Sequence, residues 1–352
     1  MNLLDKLPRP FFALAPLDDV TDTVFRQMIA DCTPPDLFFT EFVNVDGLQS
    51  PGRPKLLKKL RFSSTETPLI AQLWGKNPDN FYKTATELTD GTFAREMGLQ
   101  SGASFAGIDL NMGCPDKAAV RNGTCSALIN NRPLAAEIIA ATKSGAGDIL
   151  PISVKTRLGF SSIDLSWHEF LLCQNLAMLT VHSRTRKEMS KVPAHWEILG
   201  QICDLRSQLS SDTLIVGNGD ILTRQQGLEL VKSYGLDGIM IGRGVFQDPF
   251  AFVKSSPWPG YSKRQKLALF DKHVRLFAQT WSNNERPIVQ LNKFCKIYIQ
   301  GFDGAKELRE RFMQVRSANE LLELVRIASS ESENKINSVV GMAGLEPATN
   351  RL

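Results

Sequence analysis

No stretch of the chain offers the roughly 18 uninterrupted apolar residues that a membrane-spanning helix needs. The six cysteines (Cys32, Cys114, Cys125, Cys173, Cys203 and Cys295) form no C-x-x-C pair. That excludes both a disulfide framework and a zinc or iron–sulfur pattern. The four histidines (His168, His182, His195 and His273) lack spacing of the H-E-x-x-H kind, so no metal site is expected. The N-terminal MNLLDKLPRPFFALAPL has neither a long apolar core nor a small-residue cleavage site. A secretory signal is therefore not expected, and the cytoplasm is the expected compartment. What remains is globular: 43% of the 352 residues are apolar and 22% charged.

Eight short apolar runs punctuate the first 250 residues: FFALAPL (11–17), LFFTEFV (37–43), PLIAQLW (68–74), FAGIDLN (105–111), ISVKTRL (152–158), MLTVHSR (178–184), TLIVGNG (213–219) and GIMIGRG (238–244). Each is too short for a helix and rich in strand formers. Helical periodicity fills most of the gaps, as in VTDTVFRQMIADC, NPDNFYKTATEL, PLAAEIIAATKS and TRQQGLELVKSYG. In the last, Thr223 reads as an N-cap and Gly235 as the stop. Strand–helix alternation implies a parallel sheet covered by helices, and eight units in about 250 residues is the size of a (β/α)8 TIM barrel. A doubly wound sheet competes, but no G-x-G-x-x-G follows the first run; Ala15-Pro16-Leu17-Asp18-Asp19 stands there instead.

After Phe252 the pattern changes. Residues 1–253 are expected to be the barrel, KSSPWPGYS (254–262) a linker, and 263–282, 287–300 and 303–328 the helices of a smaller all-helical domain. A polar tail, 329–352, is expected to be disordered. Charge divides the same way. The net +4 of the chain hides a segment, 263–326, with 13 Lys/Arg against 7 Asp/Glu. Clustered basic charge is a footprint for a polyanion, though a solvated basic helix face gives the same count.

In a (β/α)8 barrel the reactive groups sit at the C-terminal strand ends. Those ends carry Pro16, Leu17 and Asp18, then Gln72, Asn111 with Cys114, Lys155, His182 with Arg184, Asn218-Gly219-Asp220, and Gly242-Arg243-Gly244. So many polar groups on one rim have no packing reason. The glycine-rich ends of the last two strands suit a phosphate held by backbone N–H groups, with Arg243 adding a charged contact. Cys114, in a Gly-Cys-Pro turn at the rim, suits an acid or nucleophile, whereas Cys125, Cys173 and Cys203 read as inert filler. Lys155 is either snorkelling or supplying positive charge to the mouth.

The fragments APLDDVTDTVFR, AQLWG, IDLNMGCPDKAAVRNGTCSALI, SVKTRLG, TVHSRTR, VGNGDI and MIGRGVFQDPF resemble the tRNA-dihydrouridine synthase family, in order and at fitting intervals. LNKFCKIYIQGFDGAKELRERFM is similar to that family's helical RNA-binding domain. The resemblance implies an FMN-bound barrel that uses NADPH (or NADH) to reduce uridine in tRNA to 5,6-dihydrouridine. It implies that Pro16, Leu17, Asp18, Gln72, Lys155 and His182 meet the flavin. Asn218, Gly219, Asp220, Gly242 and Arg243 would hold its phosphate, and Cys114 would be the acid. Asn111 and Arg184 would line the pocket mouth, and Lys293 and Lys296 would meet tRNA. Leu17-Asp18-Asp19-Val20 departs from the family's commoner Met-Ala/Glu-Gly-Val, and the stretch between Gln72 and Asn111 is longer than usual. A flavin barrel for a free pyrimidine and a tRNA-binding relative without turnover are the competing readings.

Overall fold

A computed structural model describes residues 3–99, 104–283 and 285–343. Among the described residues nine parallel strands form one sheet: β1 (Phe11–Leu14), β2 (Phe38–Phe39), β3 (Val43–Asn44), β4 (Leu69–Trp74), β5 (Gly107–Met112), β6 (Ile152–Arg157), β7 (Met178–His182), β8 (Leu214–Asn218) and β9 (Gly238–Ile241). Their order is β1-β9-β8-β7-β6-β5-β4-β2, with β3 also on β4, so the nine strands fill eight barrel positions. A single bridge, Ala13 with Leu37, brings the two ends of that order together. The architecture is the expected (β/α)8 barrel, followed by helices.

The second barrel position is broken for a reason visible in the register. Phe39 pairs with Ile70 and Val43 with Leu73, so Thr40, Glu41 and Phe42 stand opposite only Ala71 and Gln72. One residue is extra, which makes this a β-bulge. Thr40 Oγ1 takes the Gln72 N–H at 3.0 Å, replacing the missing ladder bond. The sequence reads as one continuous strand there because a bulge leaves no signal in apolar periodicity.

Side chains alternate across each strand, and the inward set changes character along the barrel. Ala13, Phe39, Ile70, Met178, Val216 and Met240 belong to one buried apolar cluster. Two residues further along the same strands come Gln72, Thr180 and Asn218. Helices between the strands start on side-chain caps, among them Asp22, Asn77, Asn131, Asp164 and Thr223. Helix Arg224–Tyr234 has the expected Thr223 cap and ends at Gly235 in the left-handed conformation.

The chain divides into two compact units, Met1–Ser255 and Ser256–Leu352. Part of the expected linker is structural, because Trp258 is buried and Lys266 Nζ lies 5.2 Å from its ring centre. Helix Lys263–Thr280 matches expectation, but 287–300 holds only two short turns, Ile288–Lys293 and Cys295–Tyr298. The expected helix 303–328 is two helices, Ala305–Gln314 and Ala318–Ala343. Ser317 Oγ accepts the Glu320 N–H, so Ser317-Ala-Asn-Glu320 starts a new helix. That helix continues to Ala343, so 329–343, expected as tail, is helical; 344–352 lie outside the described residues. Phe270, Tyr298 and Phe312 form this unit's aromatic core, with ring centres 5.3 and 5.4 Å apart.

Candidate active site

The C-terminal strand ends open into a cavity of about 590 Å³. Of the expected residues, Pro16, Leu17, Asp18, Gln72, Asn111, Cys114, Lys155, His182, Asn218, Gly219, Asp220, Gly242 and Arg243 all line it. Arg184 does not. Its guanidinium is buried behind the wall, bonded to the Val192 carbonyl and paired with Asp220. Lys293 and Lys296 belong to the helical unit.

A chain of hydrogen bonds fixes the amides at the cavity floor. Asn111 Oδ1 accepts the N–H groups of Gly113 (3.1 Å) and Cys114 (2.9 Å), which sets its orientation. Its Nδ2 then donates to Gln72 Oε1 at 3.2 Å, and Gln72 Nε2 donates to Asp109 Oδ2 at 2.7 Å. Asp109 also accepts from Ser153 Oγ at 2.6 Å, and burial pushes its pKa up to about 6. Asp109 was not singled out in the sequence, since a carboxylate inside a strand gives no local hint of its partners.

Lys155 Nζ lies 3.2 Å from Asn218 Oδ1, and Asn218 Nδ2 is spent on the Met240 carbonyl at 2.8 Å. Its low-dielectric surroundings, helped by the nearby Arg157 charge, bring the Lys155 pKa down to about 8. Burial, with Arg157, Lys155, Arg184 and Arg243 around it, holds His182 neutral, well below the usual imidazole pKa. Arg157 stands at the same strand end in the sequence, which assigns it no role. Its Nε donates to the Gly113 carbonyl at 2.8 Å, bracing the turn that carries Cys114. Phe42, Ser190 and Gln247 also line the cavity, from loops without motif character.

Cys125 is the main correction among the thiols. It is buried, but its side chain is the largest cause holding the Cys114 pKa below an ordinary thiol's. Burial opposes it; the Asp116 backbone and the Arg157 charge assist. Nothing in the spacing of two cysteines eleven positions apart in a turn discloses the contact.

The two glycine-rich ends form a cradle. Among the described residues, no backbone acceptor takes the N–H groups of Asp220, Gly242 or Arg243. Gly219 has φ +142°, and a Cβ there would lie 3.2 Å from Ala194 Cβ. Gly242 faces open space, with Ala15 Cβ 3.5 Å from an added Cβ, while Gly244 is the packing glycine, 2.5 Å from the Ile221 carbonyl on the same test. Asp220 does not offer its carboxylate to an anion; Arg184 and Arg243 both pair with it. Asp18, Asp19 and Glu41 bring carboxylate oxygens within 4.8 Å of one another, but Lys59 pairs with Asp18 and the Asp19 N–H bonds Glu41.

A parallel barrel whose strand-end cavity joins a thiol, a lysine and two glycine-rich loops has the layout of a barrel enzyme's active site. The model of the family described as Dihydrouridine synthase (Dus) matches residues 13–334. The chain belongs to that family. It is 44% identical over 328 residues to a probable tRNA-dihydrouridine synthase 2 of Bacillus subtilis (strain 168), covering 92% of this chain and 95% of that one. A probable tRNA-dihydrouridine synthase of Staphylococcus epidermidis is 45% identical over 327 residues, with 92% and 95% coverage. Histamine dehydrogenase from Rhizobium sp. 4-9 is a distant structural neighbour, with a TM-score of 0.48 and 12% identity over 75% of this chain and 48% of that one. Among the described residues no helix is long and apolar enough to cross a membrane.

Proposed function

We propose that the protein reduces the C5=C6 bond of particular uridines in tRNA to give 5,6-dihydrouridine, with FMN in the strand-end cavity and NADPH as reductant. Family membership supports the reaction, and the relatives' names supply tRNA as the substrate. The observation that carries the reading is the convergence of Cys114, Lys155 and the two glycine loops on one cavity. Its volume of about 590 Å³ lies within the roughly 300–1,000 Å³ usual for small-ligand sites. The unclaimed N–H groups of Asp220, Gly242 and Arg243 fit a phosphate.

Bound there, the flavin supplies a hydride. The protein supplies the rest. Arg243 and the free N–H groups would hold its phosphate, and Gln72 and Lys155, at the cavity floor, would meet its ring system, with Lys155 supplying positive charge to it. Cys114 delivers a proton from Sγ to the carbon opposite the hydride, and a thiol tuned toward neutrality by Cys125 is matched to that task. The target base must leave the tRNA stack to reach a cavity inside the barrel mouth, and the helical unit grips the phosphates. The six free cysteines agree with a reducing cytoplasm.

The test is nucleoside mass spectrometry of unmodified tRNA incubated with the purified protein, FMN and NADPH. New dihydrouridine at fixed positions is expected. A protein that takes up FMN yet leaves tRNA unchanged and reduces free uracil would return the small-pyrimidine reading to first place.

A further inference from the structure

A carboxylate lying between two phosphate-binding loops calls for an explanation, since like charges repel. The arrangement around Asp220 gives one. Arg184 is buried, with its Nε fixed on the Val192 carbonyl at 2.6 Å. Its other two nitrogens grip both oxygens of Asp220, Nη1 standing 3.2 Å from Oδ1. The same Nη1 lies 3.3 Å from Nε2 of His182, whose buried, cation-rich surroundings keep it neutral. The Asp220 backbone is held too, at φ +50° and with Gln226 Nε2 3.3 Å from its carbonyl. Asp220 Oδ1 then stands 3.0 Å from Nη2 of Arg243, whose side chain is 64% exposed. A long exposed arginine with nothing behind it samples many rotamers, and each must be given up on binding an anion.

We infer that Asp220 is a positioning residue, clamped from behind by Arg184, which holds the Arg243 guanidinium over the cavity for the phosphate of the cofactor. This deepens the FMN reading and rests on it. Two guanidinium charges and one carboxylate leave one positive charge for the phosphate, on Arg243, with its geometry already set. The Asp220 carboxylate therefore acts through Arg243 and touches no ligand, whatever its backbone N–H does.

The prediction separates phosphate recognition from general integrity, because riboflavin is the same ring system without the phosphate. Equilibrium binding of FMN and of riboflavin is measured for the wild type, Asp220→Ala, Arg243→Ala and the double variant. Asp220→Ala should weaken FMN by about tenfold and leave riboflavin unchanged, as expected for lost preorganisation. In the Arg243→Ala background it should have no further effect, since the residue it positions is gone. Where Asp220→Ala does not fold, Asp220→Asn carries the same comparison, keeping the shape and removing the charge. Three results overturn the inference: FMN binding tighter in Asp220→Ala, equal losses for FMN and riboflavin, or additive losses in the double variant. A wild-type protein that binds neither flavin sinks the FMN reading and this inference with it. One that binds FMN while Asp220→Ala behaves identically sinks the positioning role alone.

Discussion

The cations of the barrel rim and those of the helical unit are employed differently. At the rim three cations have defined internal partners and line the cavity: Lys155 on Asn218, Arg157 on the Gly113 carbonyl, Arg243 on Asp220. In the helical unit many cations are consumed by the fold. Lys266 donates to the Gln300 carbonyl and covers Trp258, Arg286 is buried over Trp281, and Arg309 Nη1 donates to the Ile299 carbonyl. Arg275 and Arg326 are paired with Asp271 and Glu323 on their own helices. A charge count over 263–326 therefore overstates the positive charge that is available to a polyanion. Clustering of charge in sequence locates a region, and only geometry says which charges remain for a polyanion.

The largest test of this contrast removes one side of it. A chain ending at Ser255 keeps all nine strands and the whole cavity, so flavin uptake should persist. Its tRNA affinity at physiological salt should fall by orders of magnitude, because several phosphate contacts vanish together. Equal affinities and equal salt slopes for the two lengths would locate tRNA binding on the barrel instead.

Next in size is Cys114→Ala. Turnover on tRNA should drop by roughly 10²–10⁴-fold, the range for a lost general acid. Reduction of the bound flavin by NADPH, followed by bleaching of its absorbance, should be unaffected.

Smaller effects sharpen the picture on each side. Lys296 is exposed, whereas Lys293 is half-buried with Nζ 5.4 Å from the Phe294 ring centre. Lys296→Glu should flatten the salt dependence of tRNA binding by about one unit of slope, and Lys293→Glu by less. On the barrel side, Cys125→Ala removes the leading cause of the lowered Cys114 pKa. The proton donor must be protonated, so rate falls as pH rises through that pKa. Without Cys125 the pKa rises, and the alkaline limb of the pH–rate profile should move to higher pH. Alkylation of Cys114 with iodoacetamide, followed against pH, should shift in the same direction.

These differences follow how far each property depends on distant residues. Strand ends are local, and a motif such as Asn218-Gly219-Asp220 therefore reaches the cavity wherever its strand is paired correctly. Arg184 shows the limit. It lies two residues beyond His182 on the same run, yet its side chain turns behind the wall to Asp220, a partner 36 positions away. The floor amides are likewise pairings across the fold. In the helical unit the break at Val315–Ser317 was legible from the capping pattern around Ser317, which apolar periodicity overrode.

The extra residue between β2 and β3 sets a limit on how this gene segment tolerates length changes. Deleting Glu41 would let the two short strands run together as one, with a regular ladder onto β4. The shortened protein should melt no lower for want of strand pairing, but it would lose the carboxylate that takes the Asp19 N–H at 2.9 Å. The pairs Phe39–Ile70 and Val43–Leu73 would stand, with Phe42 drawn opposite Gln72, so the loss would fall on the Asp18-Asp19 turn that Glu41 holds at the cavity mouth. The irregularity is thus an exchange of sheet regularity for site shape. Single-residue deletions scanned through 38–44 should produce proteins that fold and have lost their ligand.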